Sequence, residues 1–345
     1  MEPLPPAPHR LLINGEALVA NWRWLRERGG SAACGACVKA DGYGLGAVEV
    51  SRRLVAAGCR DLYVSSWAEA AALPVFPGVG LSVFHGVLPG EEAFAAAHRA
   101  RPVLSTVDQV LRWRPTKQPC DVMVDTGMNR LGLSPEDVRQ GVTDGLVIDT
   151  LMSHLVAADT DSPTSEHQRA EFAALAGRTT ARRMSLANSA GILLGEAYAF
   201  DLTRPGLALY GGRPRAEARV RSVVALQARV VQRRAVSAGG TVGYNGLWRA
   251  ERDTPVAIVN LGYADGFARA WTNRGVASGP AGERLPVVGR VSMDLTALDV
   301  TTSPAIGDGE WITFPVDLSA AARATERSQY EVLTGLGQRM ERSFI

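Results

Sequence analysis

Short apolar runs alternate with longer amphipathic ones from residue 34 to residue 204, and this alternation limits the fold more than any other feature of the chain. Strands are expected at 34–39, 62–65, 81–85, 102–105, 121–125, 147–154, 184–187 and, more weakly marked, 200–204. Helical patterns fall between them at 47–57, 91–99, 107–112, 135–142 and 165–176. Eight strand–helix units over about 170 residues approach what a (β/α)8 barrel of the TIM type needs, provided its loops are tight. A doubly wound open sheet is the alternative, although it usually takes fewer strands for this length. Ahead of the alternation, 11–13 reads as a short strand and 16–28 as a helix with Leu18, Trp22 and Leu25 at helical spacing.

Near Arg221 the pattern changes period. Residues 225–231 alternate apolar and polar, as do parts of 255–261, 285–300 and 310–314. Gly239-Gly240, Asp265-Gly266 and Asp308-Gly309 separate these runs as turns, which is the pattern of a mainly antiparallel β domain. The expected division is a barrel at 10–223 and a β domain at 224–345, with residues 1–9 as a flexible or extended start.

The balance of charge excludes some partners. Of 345 residues, 37 are basic and 35 acidic, a formal charge of +2, and no basic run interleaves with aromatics, so no nucleic acid is expected as a partner. The apolar stretch 68–84 is broken by Glu69, Pro74 and Pro77 and cannot span a membrane. The first residues lack the basic-then-apolar order of a secretory signal, so a cytoplasmic protein is expected.

Cys34-Gly35-Ala36-Cys37 has the spacing of a redox pair or half a metal site. On a strand, residues three apart point to opposite faces, no second pair exists, and the histidines at 9, 85, 98, 154 and 167 show no ligand spacing. The cysteines therefore read as structural, no metal is expected, and Cys37 should share the face of Lys39.

Chemistry in such a barrel collects on the loops that follow the strands. Lys39 ends the run 34–38 and opens Ala40-Asp41-Gly42-Tyr43-Gly44-Leu45-Gly46. Its third glycine comes one residue early for G-x-G-x-x-G, which disfavours a dinucleotide site. A partly desolvated lysine amine loses its proton more readily and becomes a nucleophile able to form a Schiff base. Polar residues at other strand ends complete a set: Tyr43, Asp125 to Arg130, His154, Asn188-Ser189 and Arg204-Pro205-Gly206. Each alone has a plainer explanation: His154 a core histidine, Ser189 a helix cap, Arg204 half of a salt bridge.

The blocks Val38-Lys39-Ala-Asp-Gly-Tyr43-Gly-Leu-Gly, Asp125-Thr-Gly-Met-Asn-Arg130-Leu-Gly, Ser153-His154-Leu, Asn188-Ser189 and Arg204-Pro-Gly-Leu-Ala-Leu-Tyr210-Gly occur in that order. They are followed by Gly243-Tyr244, Leu261-Gly-Tyr263-Ala-Asp265-Gly and Val288-Gly-Arg290-Val-Ser-Met293-Asp294. Through their joint order and spacing the chain resembles the alanine racemase family, pyridoxal-phosphate enzymes with an N-terminal barrel and a C-terminal β domain.

The resemblance implies that Lys39 carries the cofactor and acts as a base on one face of the substrate Cα, with Tyr263 of a partner subunit as base on the other. A phenol with a pKa of roughly 10 is a poor base at neutral pH and must be tuned; His154 matches the residue that hydrogen-bonds this tyrosine. Arg204 matches the residue facing the pyridine nitrogen, where a permanently protonated group weakens the electron sink. Tyr43, Ser189, Gly206 and Leu207 match the phosphate cradle, and Arg130 with the N–H of Met293 would receive the substrate carboxylate. The expectation is a homodimer with shared sites that interconverts L- and D-alanine for peptidoglycan.

Two departures from the family pattern stand out. Met123 occupies the position of a carbamylated lysine that steadies the arginine in many members, so Arg130 must be held otherwise, for instance by an anion such as chloride. Gln338 falls where some members place a phosphate-binding tyrosine. The alternatives are a broad-specificity racemase, a decarboxylase of the same fold type, against which Arg204 argues, and a non-catalytic pyridoxal-phosphate protein, which would not need Tyr263.

Overall fold

The computed structural model describes residues 5–345. The expectation for residues 1–4 lies outside the described residues. The chain divides into two compact units, one of residues Ala17–Arg221 and one that joins the described residues up to Glu16 with Ser222–Ile345.

In the first unit a seven-stranded parallel sheet runs Ala36–Cys37, Asp61–Val64, Gly80–Val83, Arg101–Leu104, Pro119–Met123, Val147–Met152 and Arg183–Ser185 in chain order. Leu202–Thr203 pairs in parallel with Ala33–Cys34, and Arg204 N–H donates to Ala187 O at 2.9 Å, so the eighth strand joins the last to the first. This curls the sheet into the expected barrel. Gly35 breaks the first strand into two short pieces, and an added Cβ there would come within 2.9 Å of Asp61 O. Each strand starts or ends within a few residues of its sequence expectation. Buried Val, Leu and Ile dominate the strands, as two-sided burial in a parallel sheet demands.

The helices follow the same logic. Ala47–Ala56 buries Val50, Ser51 and Leu54 on one face, and Val107–Trp113 buries Gln109, Val110 and Trp113. Gly15–Arg28 buries the expected Leu18, Trp22 and Leu25. One helix, Trp67–Ala72, has no counterpart among the sequence expectations.

In the second unit Val224–Val236 is the central strand. Its first half lies between His9–Ile13 and Trp311–Pro315, both antiparallel to it. A register shift between Val230 and Gln232 then hands its second half to Thr254–Val259, which pairs with Thr296–Asp299. Such a bulge lets one strand serve two sets of neighbours. His9–Ile13 belongs to this sheet, whereas the sequence reading drew it with the barrel. A five-residue alternating run carries a period but no information about which sheet it joins. His9, drawn as part of a loose start, is a strand residue and buried. Two helices, Leu318–Thr325 and Gln329–Thr334, precede the last strand, Glu341–Phe344, and interrupt the otherwise β content expected there.

Candidate active site

Lys39 begins a single turn, Lys39–Tyr43, directly after the first barrel strand. Ala40 (φ 52°, ψ 49°), Asp41 (φ 51°, ψ 50°) and Gly42 (φ 61°, ψ 42°) are all left-handed, as is the φ of 57° at Tyr43. Gly44 N–H reaches Ala40 O at 2.8 Å and Gly46 N–H reaches Asp41 O at 2.9 Å. The segment is one turn of left-handed helix. That conformation costs roughly 1–2 kcal/mol per non-glycine residue, so its surroundings must hold it. Glu69 does so by accepting the N–H of Ala40 at 2.8 Å and of Ser65 at 2.6 Å, and Asp41 accepts the N–H of Ala47 at 2.8 Å.

The turn leaves Lys39 half-buried, with Nζ 5.7 Å from the centre of the Phe84 ring, and swings Tyr43 inward. The Tyr43 ring stacks on Tyr210 at 4.6 Å, and Tyr210 Oη donates to Cys37 O at 2.8 Å. A Cβ on residue 206 would lie 2.2 Å from Tyr43 Oη, so only glycine lets the phenol come this close to the main chain. Ser189 Oγ accepts from the N–H groups of Gly206 (2.9 Å) and Ala208 (3.2 Å). It thus joins the Gly206–Leu207 main chain rather than opening a long helix, since only the short turn Gly191–Leu194 follows it. Leu207 is buried.

Arg204 is 3% exposed. Its guanidinium donates to Ser185 Oγ and to Ser153 O, both neutral acceptors, and no carboxylate lies within ion-pair distance among the described residues. Burial therefore pulls its pKa below the ordinary guanidinium value. Cys37 Sγ contacts Arg204 O at 3.5 Å, and the charges of Lys39 and Arg204 both act on its thiol. Cys34, Cys37, Cys59 and Cys120 are all free and buried. Burial raises their thiol pKa values, that of Cys34 to about 12, so they remain inert thiols at neutral pH.

His154 follows the strand Val147–Met152. Burial first, then the charges of Arg204, Arg130 and Lys39, lower its pKa to about 3, so the ring is neutral. The same three charges show that the barrel brings Lys39, Arg130, His154 and Arg204 into one electrostatic neighbourhood. Asp125 organises the loop that presents Arg130. Its carboxylate accepts N–H groups of Gly127 (2.8 Å), Met128 (2.8 Å) and Arg130 (3.0 Å). Burial raises its pKa, but these backbone donors outweigh that and leave it below the ordinary range. Met123 lies on the adjoining strand and Arg130 is exposed, without a carboxylate partner among the described residues.

Tyr263 and Met293 belong to the other compact unit. Tyr263 opens the turn Tyr263–Asp265, is 37% exposed, and carries the Arg269 guanidinium 4.9 Å from its ring centre. Its hydroxyl makes no hydrogen bond among the described residues. Tyr263 N–H donates to Ser292 O and Ala264 N–H to Met293 O, each at 3.0 Å, so the tyrosine and methionine turns are laced together. The Met293 N–H itself has no partner among the described residues, and Gln338 is exposed.

The sequence reading gave no role in the site to Glu69, Phe84 or Tyr210. Glu69 had a signal, since Ser66-Trp-Ala-Glu69 is a capping-box pattern. Ser66 Oγ accepts the N–H of Glu69 at 3.3 Å, while the glutamate reaches past its own cap to hold the lysine turn.

The comparisons with known proteins agree with one another. A family model described as "Alanine racemase, N-terminal domain" matches residues 13–214, and one described as "Alanine racemase, C-terminal domain" matches 223–344. The chain is 42% identical to the alanine racemase of Acidiphilium cryptum (strain JF-5), over 96% of its own length and 97% of the relative's. It is 39% identical to the biosynthetic alanine racemase of Agrobacterium fabrum, over 98% and 94%. Among solved structures, alanine racemase from Bartonella henselae with covalently bound pyridoxal phosphate superposes with a TM-score of 0.86 at 32% identity, covering 99% of this chain and 100% of the other.

Proposed function

The chain belongs to the alanine racemase family, and from that premise we propose that Lys39 of one subunit and Tyr263 of its partner act on opposite faces of bound alanine. The chain is an enzyme that interconverts L-alanine and D-alanine and takes pyridoxal phosphate as cofactor. The residues present fit that group. A buried arginine, a lysine and an exposed arginine all act on His154, and none has a carboxylate within ion-pair distance among the described residues, which suits an anionic ligand. The close approach of Tyr43 Oη to the Gly206 main chain, with Ser189 beside it, forms a neutral donor-rich cradle suited to phosphate.

When bound, pyridoxal phosphate supplies an electron-withdrawing ring that makes the Cα proton of alanine removable. Tyr43, Ser189, Gly206 and Leu207 would hold the phosphate, and Lys39 the aldehyde carbon. Arg204 donates and never accepts, so against the ring nitrogen it would keep that nitrogen an acceptor and electron withdrawal modest. Arg130 and the Met293 N–H would bind the substrate carboxylate. Lys39 Nζ moves a proton at one face of Cα and Tyr263 Oη at the other. The His154 ring, neutral and with no side-chain hydrogen bond among the described residues, is suited to accept from or donate to the Tyr263 hydroxyl.

The observation that carries this reading is the set of cations without carboxylates at the barrel mouth. Borohydride should bleach the lysine-bound band and leave the cofactor permanently attached at Lys39, and Lys39→Ala should lack that band from the outset. Tyr263→Phe should lower racemisation by about a thousandfold or more with the band retained; substantial activity in that variant removes the tyrosine from the mechanism. Mixing the two inactive variants tests the shared site. With random reassortment of a homodimer, activity should recover to about a quarter of the wild-type value, and no recovery argues against sites built from two subunits. No helix among the described residues is long and apolar enough to cross a membrane. We place the enzyme in the cytoplasm, supplying D-alanine for peptidoglycan; a deletion strain that grows without added D-alanine would remove that role.

A further inference from the structure

The geometry points to Arg339 as a positioning residue that fixes the Tyr263 turn and the Met293 turn relative to each other. This inference rests on the reading of Tyr263 as a base, and goes beyond it by naming what holds the base in place. Asp265, two residues after Tyr263, is fully buried. A carboxylate there must be matched by donors, because an unpaired buried charge costs several kcal/mol. One oxygen accepts the Gly262 N–H at 2.9 Å. Arg339 supplies the rest in a two-pronged pairing, Nε to Oδ1 at 2.6 Å and one terminal nitrogen to Oδ2 at 3.2 Å. His9 Nε2 lies 3.2 Å from Oδ1 on the N-terminal strand.

The same terminal nitrogen of Arg339 also donates to Asp294 Oδ1 at 2.6 Å, and Asp294 directly follows Met293. One guanidinium therefore ties the carboxylate beside the proposed base to the carboxylate beside the proposed substrate-binding N–H. The main chain repeats the linkage. Gly337 N–H donates to Asp265 O at 3.1 Å, and a Cβ on residue 262 would come within 2.2 Å of Met293 O. A planar fork is suited to this task in a way a lysine is not, because it fixes direction as well as charge. Proton transfer is steep in distance, and a misplacement of about 1 Å can cost a hundredfold.

The test uses purified, cofactor-loaded Arg339→Met, Arg339→Lys, Asp294→Asn and Tyr263→Phe beside wild type. Arg339→Met should lower kcat/KM by roughly ten- to a hundredfold while the lysine-bound absorbance band persists, and Arg339→Lys should recover only part of the loss. With alanine deuterated at Cα, the isotope effect of Arg339→Met should rise in the direction in which Tyr263 removes the proton. In the opposite direction, where Lys39 removes it, the effect should stay or fall. Asp294→Asn keeps the Asp265 pairing, so it should raise KM several-fold with kcat nearly unchanged, and it decides the matter if Arg339→Met does not fold. Arg339→Met within twofold of wild type, an equal rise in both isotope effects, loss of the absorbance band together with activity, or an unaltered Asp294→Asn would each overturn the inference. Racemisation surviving in Tyr263→Phe would instead sink the reading of Tyr263 on which it rests.

Discussion

The two ends of the barrel use the same side chain in opposite ways. At the end where strands begin, Arg101 and Arg183 are embedded among Asp61, Asp121 and Asp149. Arg183 reaches Asp61 Oδ1 at 2.7 Å and Asp149 Oδ2 at 2.6 Å, and Arg101 lies 3.3 Å from Asp121 and 3.2 Å from Asp149. At the end where strands finish, Arg204, Lys39 and Arg130 have no carboxylate partner among the described residues. Acids are present there, but backbone N–H groups occupy them: Glu69 holds Ala40 and Ser65, Asp41 holds Ala47, and Asp125 holds its own loop. The first end is neutralised internally and closes the barrel. The second keeps positive charge without such partners, and that difference marks the face proposed above to receive the ligand.

The widest separation between the ends should appear when one arginine is removed from each. Arg183→Met leaves Asp61 without an ion-pair partner and Asp149 leaning on Arg101, and loss of one partner of a buried pair typically costs about 3–5 kcal/mol. Arg204→Met strands no charge. It removes a guanidinium whose burial already opposes its charged form, so the cofactor-free protein should lose about 1 kcal/mol or less, while activity falls by a hundredfold or more. Denaturant unfolding of both cofactor-free variants, paired with racemisation assays, checks this. Equal destabilisation would erase the distinction between a structural and a ligand-receiving arginine.

A smaller effect should come from the acid that shapes the Arg130 loop. Asp125→Ala removes an acceptor of several N–H bonds, each charge-assisted bond being worth about 1.5–3 kcal/mol when buried and less here because the group is only half-buried. The loop should loosen and the KM for alanine rise by about tenfold, with the cofactor absorbance unchanged. A normal KM would mean that Arg130 is placed by something other than this carboxylate.

The barrel could be read from the sequence because each strand is a short apolar run bounded by turn residues. The candidate site could be proposed because its residues follow those runs in a recognisable order. What resisted reading acts through space. Nothing in Ala40 or Asp41 announces a left-handed turn, since neither is the glycine that such a backbone favours, and the turn is held by Glu69 from the helix Trp67–Ala72. The helix Trp67–Ala72 was hidden in a stretch read only as too broken to cross a membrane. The helices Leu318–Thr325 and Gln329–Thr334 did carry local signals, with Asp317 capping one and Ser328 with Glu331 forming a capping box on the other. Residues 11–13 of the strand His9–Ile13 were visible, but its partner lies more than two hundred residues away in the chain, beyond the reach of periodicity.

His154 offers the finest test of the unmatched charge at the barrel mouth. Its pKa of about 3 arises from burial and from the cations of Arg204, Arg130 and Lys39. The folded value lies below the unfolded value of about 6.5, so the unfolded chain binds the extra proton between the two. The stability contributed by a neutral His154 is therefore fully present above about pH 6.5 and is lost as pH falls toward 3. In the cofactor-free protein, nitrogen NMR of the imidazole should show no protonation between pH 5 and 8. Replacing Arg204 with Met removes the cation with the largest effect on the ring and should move the midpoint upward without restoring the ordinary value, because burial remains. A wild-type ring that titrates near 6.5 would mean that the charge around it is neutralised after all, and the two ends of the barrel would then differ less than their ion pairs suggest.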